Sequence, residues 1–212
     1  MFKTRVKICG LTTRETLLAA TDAGAAYIGL NFFPPSPRYL EPEAARDLAI
    51  DVPPGVAKVA LSVDSDDATL DLITNTVPVD ILQLQGKETP ERVAHVRARY
   101  GLPVMKAVGI ADEDDLAQLD AFEEVVDQLL VDAKPPKGGV LPGGNGVTFD
   151  WRLIANRRWS KPWMLAGGLN ADNVAQAIAL TGAAQVDVSS GVETAPGVKD
   201  PDRIRAFIKA AG

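Results

Sequence analysis

The chain has one cysteine and one histidine in 212 residues. A lone Cys9 allows no internal disulfide, which fits a reducing compartment. A lone His95, with no ligand-like spacing of Cys, His and acids around it, gives no basis for a metal site. Basic residues are in deficit: 22 Lys and Arg stand against 28 Asp and Glu, a net charge of −6. That balance speaks against a nucleic-acid surface, and an anionic ligand would have to be captured by local groups. No stretch approaches the roughly 18 apolar residues of a membrane span. Met1–Gly10 lacks the apolar core of a signal peptide. A cytoplasmic protein with neither nucleic-acid nor membrane partners is the expectation. What is present is ordinary globular material, 46% hydrophobic and 24% charged, enough for one sizeable core.

Apolar, β-branched runs begin near Arg5, Tyr27, Ala57, Ile81, Val104, Gln128, Trp163 and Gln185. Helical patterns separate them. Thr12-x-x-Glu15 reads as a capping box for a helix over Arg14–Ala23. Further helices are expected over Pro42–Ile50, Asp66–Thr76, Pro90–Tyr100, Asp112–Glu124, Trp151–Asn156, Ala171–Leu180 and Pro201–Ala211. Strands that alternate with helices must pair in parallel, because each crossover returns the chain to the same end. Eight such units predict a single (βα)8 TIM barrel, eight parallel strands with outer helices, as one domain over residues 1–212. The chain enters the first strand at once and reads as a stand-alone barrel. A doubly wound open sheet is the alternative, but no GxGxxG follows the first strand.

In such a barrel the active site lies at the C-terminal ends of the strands. Chemically awkward residues fall there repeatedly: Cys9 after strand 1, Arg38 after strand 2, Gln85 after strand 4, Asp132 after strand 6, Gly167-Gly168 after strand 7, and Ser189-Ser190-Gly191 after strand 8. Each has a plainer reading. Cys9 is also a small buried hydrophobe, Asp132 a turn former, and Arg38 a solvated surface side chain. Together, Cys9 and Asp132 suggest a base and an acid. Arg38, stiffened by its Pro-Pro-Ser-Pro loop, suits a carboxylate. The two glycine and serine turns expose backbone amides to an anion such as a phosphate. Lys134–Gly146, without apolar periodicity, reads as a lid or as a connector. Lys7 and Lys106 read as barrel-interior charges paired with acids such as Asp187, and His95 as a surface residue.

Taken together, KICGLT (Lys7–Thr12), SPR (Ser36–Arg38), QLQG (Gln83–Gly86), LLVDA (Leu129–Ala133), LAGGLN (Leu165–Asn170) and SSGVE (Ser189–Glu193) resemble the phosphoribosylanthranilate isomerase family. The resemblance covers nearly the whole chain. It implies an Amadori rearrangement of N-(5-phosphoribosyl)anthranilate in tryptophan biosynthesis, with no cofactor and no metal. It implies Cys9 as general base and Asp132 as general acid. Arg38 would anchor the anthranilate carboxylate and Asp187 would meet the ribose. Gly167, Gly168, Ser189, Ser190 and Gly191 would hold the phosphate of a small-molecule substrate. The family usually has His where Gln85 stands and Thr where Asn145 stands. A histidine-pathway or bifunctional aminoaldose–ketose isomerase is the nearest rival, with an aspartate as its first-strand base. A non-catalytic barrel that binds a phosphorylated metabolite is a second. Lys7, two residues below Cys9 on the same strand face and about 7 Å away, is expected to help depress the thiol pKa. Monomer and homodimer both remain open.

Overall fold

The structure, a computed structural model, describes residues 3–134 and 143–212. Eight parallel strands close into one barrel in chain order: β1 (Arg5–Cys9), β2 (Tyr27–Asn31), β3 (Ala57–Ser62), β4 (Ile81–Leu84), β5 (Val104–Ile110), β6 (Gln128–Ala133), β7 (Trp163–Leu165) and β8 (Gln185–Val188). The seam between β8 and β1 sets Lys7 opposite Asp187, and β1 sets Cys9 opposite Gly29 of β2. The TIM barrel expected from the strand and helix alternation is the fold.

These strands are apolar on both faces because both faces are covered. Tyr27, Val59, Met105, Ala107, Leu130, Met164 and Ala166 fill the barrel. Ile8, Ile28, Leu82, Val104 and Val131 point outward into the larger core under the helices. The helices are α1 (Arg14–Asp22), α2 (Pro42–Ile50), α3 (Asp67–Thr76), α4 (Pro90–Tyr100), α5 (Leu116–Glu123), α6 (Val174–Thr181) and α7 (Pro201–Ala210). Among the described residues none is long and apolar enough to cross a membrane.

Several boundaries differ from the sequence reading for local reasons. Thr13, not Thr12, caps α1, its hydroxyl accepting from the Thr16 amide at 3.3 Å. The sixth helix is reduced to one 3-10 turn, Trp151–Leu153. α6 starts at Val174 because the Asn170 side chain accepts from the amides of Asp172 and Asn173 at 2.8 and 3.2 Å, holding them in a turn. After β8 an unanticipated antiparallel hairpin forms from β9 (Glu193–Ala195) and β10 (Val198–Lys199).

Lys7 lies inside the barrel and donates to Asp187 at 2.8 Å. Lys106 does not share that interior. Its neighbours Met105 and Ala107 point inward, so strand alternation turns Lys106 outward. There it bonds Glu88 at 2.8 Å, the Gly86 carbonyl at 2.7 Å and the Leu84 carbonyl at 3.3 Å, closing the end of β4. Both side chains of this pair are only 3% exposed. Breaking a buried pair strands one charge in low dielectric. Lys106→Met should therefore cost about 3 kcal/mol of folding stability, read as a lower urea midpoint at unchanged slope. A loss under about 1 kcal/mol, the range of an exposed pair, would contradict this.

Candidate active site

β1 delivers Cys9 to the mouth of the barrel, where it is buried. Gly29 makes room beside it: a Cβ there would sit 2.9 Å from the Cys9 sulfur. β6 delivers Asp132 to the same end. Its Oδ1 accepts from the Ala133 amide at 2.8 Å and its Oδ2 from Gln85 Nε2 at 3.1 Å. β8 delivers Asp187, held by Lys7.

Two adjoining cavities open here. One is lined by Cys9, Arg38, Gln85, Asp132 and Asp187 among others. The second is lined by Gly167, Gly168, Ser189, Ser190 and Gly191, with Asp132 and Asp187 on the shared wall. All nine residues singled out for the site thus converge on one double cavity. Gly167 has φ +87°, and a Cβ there would lie 2.6 Å from the Ala133 amide nitrogen, so the loop after β7 passes close to Asp132 only as glycine. The Ser189 hydroxyl donates to the Cys9 carbonyl at 3.2 Å, tying the loop after β8 to the end of β1.

Arg38 is arranged differently from a simple free fork. Its Nε and Nη2 bind the two carboxylate oxygens of Glu193 at 2.7 and 2.8 Å. The bidentate edge is spoken for, and Nη1 is the nitrogen with no partner among the described residues. Glu193 also receives Lys199 at 2.6 Å, and Lys199 reaches the Ser189 carbonyl at 3.0 Å. Glu193 and Lys199 were not singled out by their residue types. The short hairpin that carries them has no apolar alternation to announce it. Gln83, inward-facing and hydrogen-bonded to Gln85 at 2.7 Å, was legible only as the residue two before Gln85 on the same strand face.

Burial pushes the Asp132 carboxyl up to about 7, the charge of Asp187 adds to this, and the Ala133 and Gln85 hydrogen bonds oppose it. Burial also pushes the Cys9 thiol up. Lys7 and Lys199 pull it down and Asp187 pushes it up again. Lys7 thus helps depress the thiol as anticipated, but desolvation outweighs it and the net shift is upward. Lys199 is lowered by burial despite Glu193.

His95 is exposed on α4, 3.2 Å from Asp67, as its position in the helix suggested. Of the lid segment Lys134–Gly146, residues 135–142 lie outside the described residues. Lys134 bonds Asp115 at 2.6 Å, and Gly143 and Gly144 line both cavities. No metal-ligand cluster of three or more His, Cys, Asp or Glu occurs among the described residues.

The chain matches the family model described as N-(5'phosphoribosyl)anthranilate (PRA) isomerase over residues 6–210. It is 66% identical over 207 residues to the N-(5'-phosphoribosyl)anthranilate isomerase of Cereibacter sphaeroides, covering 98% of both chains. The crystal structure of phosphoribosyl anthranilate isomerase from Thermotoga maritima superposes with a TM-score of 0.88 at 38% identity, again over 98% of both. Another isomerase of that name, solved in complex with reduced 1-(o-carboxyphenylamino)-1-deoxyribulose 5-phosphate, gives 0.84 at 36% identity and the same coverage. With a closed eight-stranded barrel, a built cavity at its mouth and full-length relatives of one kind, the chain belongs to the N-(5'-phosphoribosyl)anthranilate isomerase family and is an isomerase.

Proposed function

We propose that the chain converts N-(5-phosphoribosyl)anthranilate into 1-(2-carboxyphenylamino)-1-deoxyribulose 5-phosphate, a step of tryptophan biosynthesis, with Asp132 as general acid and Cys9 as general base. The observation that carries this reading is a thiol and a carboxyl on β1 and β6, lining one cavity, with the carboxyl held protonated up to about pH 7. The relative with a reduced product bound supports the ligand class.

Asp132 gives its Oδ2 proton to the furanose ring oxygen, and the ring opens to an iminium at C1. Cys9, as thiolate, takes the proton from C2 and leaves an enolamine. Ketonisation puts a proton on C1 and removes one from the C2 hydroxyl, so both groups return to their starting forms. Gly167, Gly168, Ser190 and Gly191 supply backbone for the phosphate, with Ser189 tying that cradle to the Cys9 strand. Arg38 meets the anthranilate carboxylate through Nη1 while Glu193 holds its other edge. Asp187 is placed for the ribose hydroxyls.

A positioned acid or base contributes on the order of 10²–10⁴ in rate. Cys9→Ala and Asp132→Asn should each lower kcat at least about 10²-fold, with substrate still bound in equilibrium measurements. Wild-type turnover in either variant would remove that residue from its role.

The pH profile follows from the two shifts. The productive form is protonated Asp132 with a Cys9 thiolate. Below about 7 the acid is in place and the thiolate grows with pH; between the two values that gain and the loss of the acid cancel; above the thiol value the thiolate is complete and only the loss of the acid remains. The kcat/KM profile should therefore rise to a break near pH 7, run flat, and fall above the ordinary thiol range. A low-pH break near an ordinary carboxylate value, about 4, would contradict it.

A further inference from the structure

The two glutamines at the end of β4 form a unit with Asp132. Gln83 and Gln85 are two residues apart, face the same cavity, and are 1% and 8% exposed. Gln83 Nε2 donates to Gln85 Oε1 at 2.7 Å, and Gln85 Nε2 donates to Asp132 Oδ2 at 3.1 Å. Gly143 roofs this contact closely enough that a Cβ there would come within 2.8 Å of Gln85 Nε2 and 2.9 Å of Asp132 Oδ2. One atom of the unit is left over: Gln83 Oε1 is buried and has no partner among the described residues.

The leftover acceptor has a use in the second protonation state of the carboxyl. Asp132 Oδ1 is bonded to a backbone amide, which can only donate. Oδ2 is therefore the oxygen whose proton comes and goes. Its partner must donate to the carboxylate and accept from the acid. A primary amide offers both, exchanged by a half-turn of its terminal torsion. In the orientation seen, Gln85 donates to Oδ2, which suits the carboxylate. With both amides turned, Gln85 Oε1 accepts from the Oδ2 hydroxyl and Gln85 Nε2 donates to Gln83 Oε1, while Gln83 Nε2 takes the place where Oε1 had gone unpaired, so each state leaves one Gln83 atom over. The charged groups facing Asp132 do not offer this: Lys7 of β1 is committed to Asp187 of β8, Asp187 only accepts, and the Cys9 thiol on β1 is reserved for the substrate.

We propose that Gln83 and Gln85 are a two-position amide relay that holds Asp132 Oδ2 in both of its protonation states. They are positioning residues for the proton transfer, and the inference rests on Asp132 being the general acid.

The test is steady-state kinetics across pH on Gln83→Leu, Gln85→Leu and Gln85→His, with Asp132→Asn alongside and melting temperatures recorded for each. The relay predicts that both leucine variants lose about tenfold in kcat with KM within about twofold, because Gln85→Leu removes the group that holds the carboxyl and Gln83→Leu removes the partner that orients Gln85. In the orientation seen Gln85 lowers the Asp132 carboxyl, but a partner that turns to accept from the acid offsets that lowering, so the acidic break should stay within about half a unit of wild type. Gln85→His, with a donor and an acceptor on one ring, should recover most of the lost kcat.

Gln83→Leu with wild-type kcat, while Asp132→Asn is inactive, overturns the relay and leaves the acid in place. A break moved up by about a unit or more overturns it as well, because Gln85 would then only donate. So does a histidine variant as slow as the leucine one, or a loss shared equally by kcat and KM. Asp132→Asn turning over at the wild-type rate sinks the acid assignment itself.

Discussion

The constraint on which the mouth of this barrel depends is the matching of charges removed from water. Lys7, Arg38 and Lys199 bring three cations there, and Asp187 and Glu193 bring two carboxylates paired to them. That leaves balance for one further negative charge, which the proposed mechanism assigns to Cys9 or Asp132. Burial raises both groups, and the charge of Asp187 raises each further, so neither ionises freely. A single mobile charge between a thiol and a carboxyl is the condition for moving one proton on and one proton off a sugar. The same pairing explains why cations that look surplus in an acidic chain are buried at this end. Each is the partner that makes a buried acid tolerable.

The scaffold meets this constraint through ties between distant segments. Glu193 binds Arg38, 155 positions before it in the second strand–helix loop, and Lys199 from the hairpin after β8, so one carboxylate ties distant segments together. Lys106 closes the end of β4 against Glu88, immediately beside the glutamine that meets Asp132. Glycines sit where backbone or side chain passes too close for a Cβ, as Gly29 beside Cys9 and Gly143 over Gln85 show. The precision of the site is thus carried by hydrogen bonds and close approach at strand ends and not by the apolar core below them.

This division decides what the sequence made legible. The barrel was readable because its strands are apolar runs at regular intervals, a signal set by burial on both faces. The meeting of Cys9 and Asp132 at one cavity was readable because both stand at the C-terminal ends of strands, which a closed barrel brings to one mouth. Glu193 and Lys199 were not, since strands of three and two residues carry no period. Lys106 was assigned to the wrong side of the sheet because a charge inside an apolar run does not itself say which face it takes. Only its neighbours Met105 and Ala107, both inside the barrel, settle that. The start of α6 was missed because Asn170 offers its side chain to a turn in competition with the helix. The net direction of the Cys9 shift depends on how fully the thiol is buried, which no residue string states.

The measurement that bears most directly on the shared charge is a crystal structure of this chain with the reduced product analogue bound in the double cavity. The account predicts the Cys9 sulfur within about 3–3.5 Å of C2 on one face of the sugar chain, and Asp132 Oδ2 at hydrogen-bond distance from the oxygen that closed the ring, on the other. Both groups on one face, or either out of reach of its atom, would contradict it.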